Sequence, residues 1–235
     1  MLPVKDLQAN RYHRYAGRVT MLLIVVNTLI LGWELYLAYS ADVDGIQTFF
    51  TRFGFVPVRV FAGERGVGIS IISHLFLHGG FMHLLGNMLA LWVFGRRVED
   101  ACGAWRYLFF YLFAGLMAAM VSAFILRNED IPSIGASGAI FGVMGAYLLL
   151  FPEGKIQTLV LLPFLGIPVF LRIRAVWVVL YFLGLQAIPA IDIYLHGAVY
   201  SIGYWAHLGG FIAAIFVFFF LRPTAYRRYW SKLPV

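Results

Sequence analysis

The sequence predicts an all-α polytopic membrane protein, a six-transmembrane-helix bundle with both termini cytoplasmic. Three observations carry that prediction. Of the 235 residues, 62% are hydrophobic and 12% charged, against roughly 45–50% and about 25% in a soluble domain, so there is too little polar surface to cover a water-soluble globule. The apolar residues gather in runs of spanning length. Lys and Arg fall unequally on the two sides that those runs define.

The elements follow in order. Residues 1–18 carry Lys5, Arg11, Arg14 and Arg18 and read as a cytoplasmic N-terminal segment. The run 19–39 is about 20 residues long, which suits a retained spanning helix better than a short signal core. Further runs at 70–95, 107–126, 135–151, 175–191 and 198–221 complete six spans. A seventh run, 156–171, contains Pro163 and Pro168. Proline removes a helical hydrogen bond and crowds the preceding turn, and this run is short for a core of ~30 Å at about 1.5 Å per residue. It reads as an interfacial or re-entrant segment.

Charge supports that count. With six spans, the N-terminal segment, second loop, fourth loop and tail hold four, three, three and four Lys and Arg; the first, third and fifth loops hold three, one and none. A seventh span turns this into eight against ten. The positive-inside bias selects six. The division is then a cytoplasmic segment at 1–18, a membrane domain at 19–221 and a basic cytoplasmic tail at 222–235. The net charge of +7 reflects these loops and implies no nucleic-acid partner. A single cysteine, Cys102, excludes an internal disulfide and a cysteine-rich metal site.

Polar side chains are costly in a bilayer and turn to the bundle interior or a water-filled cavity. The second run opens SHLFLHGGFMHLLGN, with His74, His78, His83 and Asn87. His83 and Asn87 are four apart, on one helix face. The fourth run opens SIGASGAIFGVMGA around Ser137, and the sixth holds YWAHLGG with His207. These three runs start on the non-cytoplasmic side, so a hydroxyl, an imidazole and hydrogen-bond donors reach comparable depth. A serine nucleophile needs a base within hydrogen-bond reach, imidazole is the usual one near neutral pH, and acyl transfer needs donors for the oxyanion. His83, Asn87 and the Ser137 backbone N–H are the candidates. Gly138, Gly142 and Ala146 form a small-xxx-small ladder, and Gly210 with Ala214 a matching pair; such ladders let helices approach closely.

Other readings stand beside these. Ser137 could be a helix N-cap or a packing residue, and each histidine a hydrogen bond to a neighbouring helix; for His74 and His78 that structural role is favoured. Glu34 and Glu99 lie near span ends and read as snorkelling residues or loop caps. Trp33, Trp92, Trp105, Trp177 and Trp205 read as interface anchors or packing. His74 and His78 have the i, i+4 spacing that suits zinc, without an HExxH glutamate, which leaves a histidine-rich metal-binding membrane protein as one alternative. A polar-lined channel or transporter is the other.

HLFLHGGFMHLLGN, GASG and AHLGG, in that order on alternate spans, resemble the rhomboid family of intramembrane serine proteases over about 70–221. GRRVEDACG, with Glu99 and Gly103, is similar to that family's start of the second loop. The resemblance implies Ser137 as nucleophile in a GxSG motif that begins at Gly135, and His207 as general base and acid in a dyad without a carboxylate. It implies His83 and Asn87 at the oxyanion, no metal or other cofactor, and gating by the fifth span and the nearby loop. Substrates would be single-span membrane proteins that unwind easily, cut near the outer end of the span after a small residue. A bacterial plasma membrane is the expected residence. Two departures are visible. Residues 41–69 hold no Trp where many bacterial members carry Trp-Arg, and Phe141 stands where many carry tyrosine; its ring is expected against His207.

Overall fold

The computed structural model of the chain describes residues 1–7, 17–40, 43–162, 167–196 and 203–223. Helix α1 (Arg18–Ser40) is followed by three short helices, α2 (Val43–Phe53), α3 (Pro57–Phe61) and α4 (Val67–Ser73), the last running into a 3-10 turn at His74–Phe76. Helix α5 (Phe81–Ala90) continues through a wide π turn at Leu91–Gly95 into α6 (Arg96–Cys102). Helices α7 (Ala104–Ile125) and α8 (Ser137–Leu150), strands β2 (Lys155–Leu162) and β3 (Ile167–Arg174), and helices α9 (Ala175–His196) and α10 (Tyr204–Ile212) complete the order. Helix α10 runs on as a 3-10 segment to Phe220, and a first strand, β1 (Leu2–Asp6), precedes everything.

Among the described residues, three helices, α1, α7 and α9, are long and apolar enough to cross a membrane. The run read as one span at 70–95 is corrected. Its first part, Val67–Phe76, meets the rod Phe81–Cys102 at 82°. Leu77 is extended (φ −88°, ψ 145°) and two glycines follow it, the poorest helix formers after proline. The buried Glu34 carboxylate accepts the His78 backbone N–H at 2.9 Å, which satisfies a donor that the broken helix leaves open. Glu34 therefore holds the bend from inside the bundle and does not snorkel. The apolar rod that belongs to this run is Phe81–Cys102.

The described parts of the segment 156–171 are strands and not helix. Lys155–Leu162 and Ile167–Arg174 pair antiparallel from Lys155↔Arg174 to Leu162↔Ile167, and β1 pairs with β2 from Leu2↔Leu159 to Asp6↔Ile156. Pro168 is tolerated because β3 is an edge strand in the order β1-β2-β3; Pro163 lies outside the described residues. The all-α expectation is thus amended by a three-stranded sheet. The sheet is pinned to the bundle through Asp6, whose carboxylate accepts from Arg97 Nε and the Tyr147 hydroxyl, each at 2.9 Å.

Helix α8 is apolar all round and nearly all of it is buried, the mark of a central helix. It is clasped by α7 and α10. A methyl on Gly142 would meet Ala114 Cβ at 2.5 Å and the Gly210 carbonyl at 2.8 Å, and one on Gly138 would meet Ala118 Cβ at 2.6 Å. Ala214 packs against Gly145, so the ladder on α8 steps to Gly145 where the spacing alone suggests Ala146. Helices α1 and α9 lie at the periphery, with only 22% and 17% of their apolar windows buried; Leu29, Trp33, Trp177 and Ile188 are exposed there.

The bundle has two distinct ends. At one, β1, the β2–β3 hairpin, Arg97 and the start of α1 gather. There Glu99 accepts from the backbone N–H groups of Val19 (3.0 Å) and Thr20 (2.9 Å) and from the Thr20 hydroxyl (2.8 Å), so it caps the start of α1 where snorkelling or a loop cap was expected. At the other end Phe55 and Ser133 exchange backbone hydrogen bonds of 2.9 and 2.8 Å. That pairing ties the segment after α2 to the loop that leads into Ser137.

Candidate active site

Ser137 is the first residue of α8, with Ala136 at the N-cap position and no side-chain cap. Its hydroxyl is therefore not spent on capping. Ser137 Oγ lies 2.6 Å from His207 Nε2, a contact between helices 70 residues apart that the crossing of α8 and α10 makes possible. The imidazole is buried and sandwiched by Phe141, ring centroids 4.8 Å apart at 15°; the expected stack is present. Tyr204 meets the ring edge-on at 6.5 Å. On its far side His207 Nδ1 lies 2.7 Å from Gln186 Oε1 on α9.

The loop before Ser137 needs a glycine on two grounds. Gly135 has φ +123°, a region that side chains disfavour. A methyl there would lie 2.8 Å from His83 Cε1 and 2.9 Å from His83 Nε2, with Ser137 Oγ 3.6 Å away. His83 and Ser137 thus flank Gly135, whose N–H is held by the His74 carbonyl at 2.8 Å. The His83 side chain is exposed, so this flank of the serine is open. The start of α8 adds backbone N–H groups without helical partners and the positive end of the helix dipole.

Asn87 shares helix α5 with His83 but is buried, and its Nδ2 donates to His78 Nε2 at 3.0 Å. Its second N–H is the one left for another acceptor. His78, itself fully buried, also packs edge-on against His83 at 5.2 Å. His74 donates from Nδ1 to the Ser70 carbonyl at 2.8 Å and packs on Phe55. Because the helix ends between them, His74 and His78 do not present the zinc-type i, i+4 face; each is built into the bend. Among the described residues, no group of three His, Cys, Asp or Glu is arranged to hold a metal ion.

Sequence reading passed over Gln186. The signal was present: a lone amide in the stretch VLYFLGLQAIPA of the run 175–191, where every neighbour is apolar. It also passed over Asp6 and Tyr147, whose partnership depends on a strand that composition hides.

An apolar helical bundle with a serine and a histidine hydrogen-bonded at the head of its central helix is the frame of a multi-pass membrane protein. The chain belongs to the rhomboid family: residues 65–224 match the Rhomboid domain. It is 33% identical over 163 residues to RHOMBOID-like protein 4 of Arabidopsis thaliana, a match covering 67% of this chain and 36% of the relative. It is 40% identical over 92 residues to Rhomboid protein 1, mitochondrial, of Saccharomyces cerevisiae, covering 37% of this chain and 27% of that protein. Over 78 residues it is 45% identical to Rhomboid protease GluP of Bacillus subtilis, covering 33% of this chain and 15% of the relative. The chain therefore spans well under two thirds of the length of these curated relatives.

Proposed function

We propose that the chain is an intramembrane serine endopeptidase that cuts transmembrane segments of other membrane proteins through a Ser137–His207 dyad. The observation that carries this reading is the 2.6 Å contact between Ser137 Oγ and His207 Nε2, in a family one of whose relatives here is named a protease. Ser137 Oγ attacks the scissile carbonyl carbon while His207 Nε2 takes its proton. The oxyanion is met by the Ser137 N–H, by His83 and by the second N–H of Asn87. Collapse breaks the C–N bond, and His207 returns the proton to the leaving amine. Water, deprotonated by the same nitrogen, then releases the acyl group and restores Ser137. No step needs a metal or other cofactor.

The membrane frame belongs to the same proposal. Six spans, α1, the rod 81–102, α7, α8, α9 and α10 with its extension, hold the site, with 1–18 and 222–235 cytoplasmic flanks. Two of these are short: α8 has 14 residues, about 21 Å at 1.5 Å per residue, against a core of ~30 Å. A short central helix supports a serine lying below the membrane surface, where a single-span substrate that unwinds near its outer end would present its peptide bond. A small residue before the cut suits a site closed on one side by Phe141 and His207. The matched relatives come from plants, yeast and a bacterium, one named mitochondrial, so family likeness does not select the bacterial plasma membrane.

The test is labelling by a fluorophosphonate serine-hydrolase probe together with cleavage of a single-span substrate. The intact chain is expected to label and cleave; Ser137→Ala should do neither and His207→Ala should lose cleavage, with thermal stability kept. Wild-type turnover by both purified variants would end the assignment. An EDTA-type chelator is expected to leave turnover unchanged, and loss restored by zinc would favour a metal-dependent reaction.

A further inference from the structure

We propose that Gln186 is a positioning residue that holds His207 in the tautomer protonated at Nδ1. The inference follows from which atoms donate and which accept. Gln186 Nε2 lies 3.2 Å from the carbonyl of Phe182, one turn earlier on α9. A carbonyl only accepts, so the amide nitrogen faces it and the amide oxygen faces His207. That oxygen, 2.7 Å from His207 Nδ1, also only accepts, so Nδ1 carries the proton. The neutral ring then has its lone pair on Nε2, the atom 2.6 Å from Ser137 Oγ. Ser137 therefore donates its O–H to the nitrogen that has to receive it. An amide flip is resisted at both ends, since it would set N–H against N–H at His207 and oxygen against oxygen at Phe182.

The surroundings fit a neutral anchor. Among the described residues, the groups that face the His207 ring are Ser137 and Phe141 from α8, Tyr204 from its own helix and Gln186 from α9, with His83 of α5 on the other flank of Gly135 beside Ser137. None of these is a carboxylate. An ionised aspartate in an apolar bundle would carry the cost of a buried charge, whereas an amide supplies the same acceptor without it. Phe141 fixes the plane of the ring and Gln186 fixes its protonation, so the two constraints are independent. The kinetic consequence rests on the protease reading; the tautomer assignment does not.

Two variants of the full chain in detergent separate the alternatives. Gln186→Met keeps length and flexibility and removes the acceptor. Gln186→Glu keeps an acceptor and, when protonated, a donor for the Phe182 carbonyl. Nitrogen-15 spectra of selectively labelled histidine are expected to show His207 protonated at Nδ1 in the wild type and in Gln186→Glu, and shifted toward the Nε2-protonated form in Gln186→Met. Turnover of Gln186→Met should fall by about 10- to 100-fold in kcat with KM and Tm little changed. That is less than the ~10⁴-fold cost of a wrong tautomer in a soluble triad, because the ring still samples the productive form. Gln186→Glu should retain most of the rate. Wild-type kcat and an unchanged spectrum in Gln186→Met would overturn the proposal, as would equal losses in both variants that track a fall in Tm. A wild-type chain that neither labels nor cleaves would sink the protease reading, and the spectra would still decide the tautomer.

Discussion

The carbonyl of Gly138 occupies the place that a side chain on Gly210 would need. This crossing sits one residue after Ser137 and three after His207, so a close backbone approach sets the separation of the proposed dyad. Gly210→Ala is expected to destabilise the chain by about 1–3 kcal/mol, the usual cost of overpacking, and to lower fluorophosphonate labelling by more than the folded fraction explains. Gly184→Ala is the control: on α9 a methyl there meets nothing within 4 Å, and the change should be neutral or slightly stabilising. Equal thermal stability of the two variants would show that the crossing relaxes freely.

Glu99 ties two helices that are distant in sequence. Its carboxylate accepts from Val19 N, Thr20 N and Thr20 Oγ1 and is almost fully buried. Glu99→Ala leaves the start of α1 without these acceptors and is expected to cost about 2–3 kcal/mol, the range for hydrogen bonds to a charged group and for buried donors left unmet. Glu99→Gln keeps one acceptor and should lose less. Thermal unfolding in one detergent reads the order; a Glu99→Ala protein as stable as wild type would mean that water replaces the carboxylate.

The sheet makes a topological prediction that does not depend on counting charge. Lys155 stands opposite Arg174, and Asp6 opposite Ile156, so residues 6, 155 and 174 lie at one end of the bundle. Reporter fusions after residues 155 and 173 should give the same side, and a tag at the N-terminus should share it. Opposite sides would restore a seventh crossing and undo the proposed topology.

Much of this arrangement was legible because membrane burial leaves few polar residues to consider. Ser137, His83 and His207 stand out against apolar runs, and the glycine ladders beside them point to close crossing helices. The bend at Leu77 was harder to read, since the run 70–95 is predominantly apolar on both sides of it and its break depends on Glu34 reaching across from α1. The prolines of 156–171 argued against a spanning helix, and its described parts are strands, but their pairing with Leu2–Asp6 could not be seen, because pairing partners about 150 residues apart leave no periodic signature. Gln186 was overlooked for a different reason. An amide carries no charge to draw attention, and its value appears only when its two ends are assigned to Phe182 and His207.

His83 and Asn87 were expected to act together, and the geometry separates what each can contribute. His83 is exposed beside Gly135 and Ser137, where a bound carbonyl could reach it. Asn87 is buried and gives one N–H to His78 Nε2 at 3.0 Å, leaving one for the oxyanion. Asn87→Ala should therefore lower both Tm and kcat, whereas His83→Ala should act mainly on kcat. Loss of one donor costs roughly 100- to 1,000-fold in a soluble serine protease; a smaller loss is expected here, because the Ser137 N–H and the other donor remain. If both serve one oxyanion, the double variant should lose less than the product of the single losses, since residues that act as a unit do not add. His78→Ala supplies the missing control: it removes the acceptor of Asn87 without removing an oxyanion donor, so it should reproduce the stability loss of Asn87→Ala with a smaller effect on kcat. Turnover and unfolding measured on the same samples decide the matter. A double variant with normal turnover per folded molecule would leave His83 and Asn87 as structural residues of the bend, and the oxyanion would have to be met by the backbone at the start of α8.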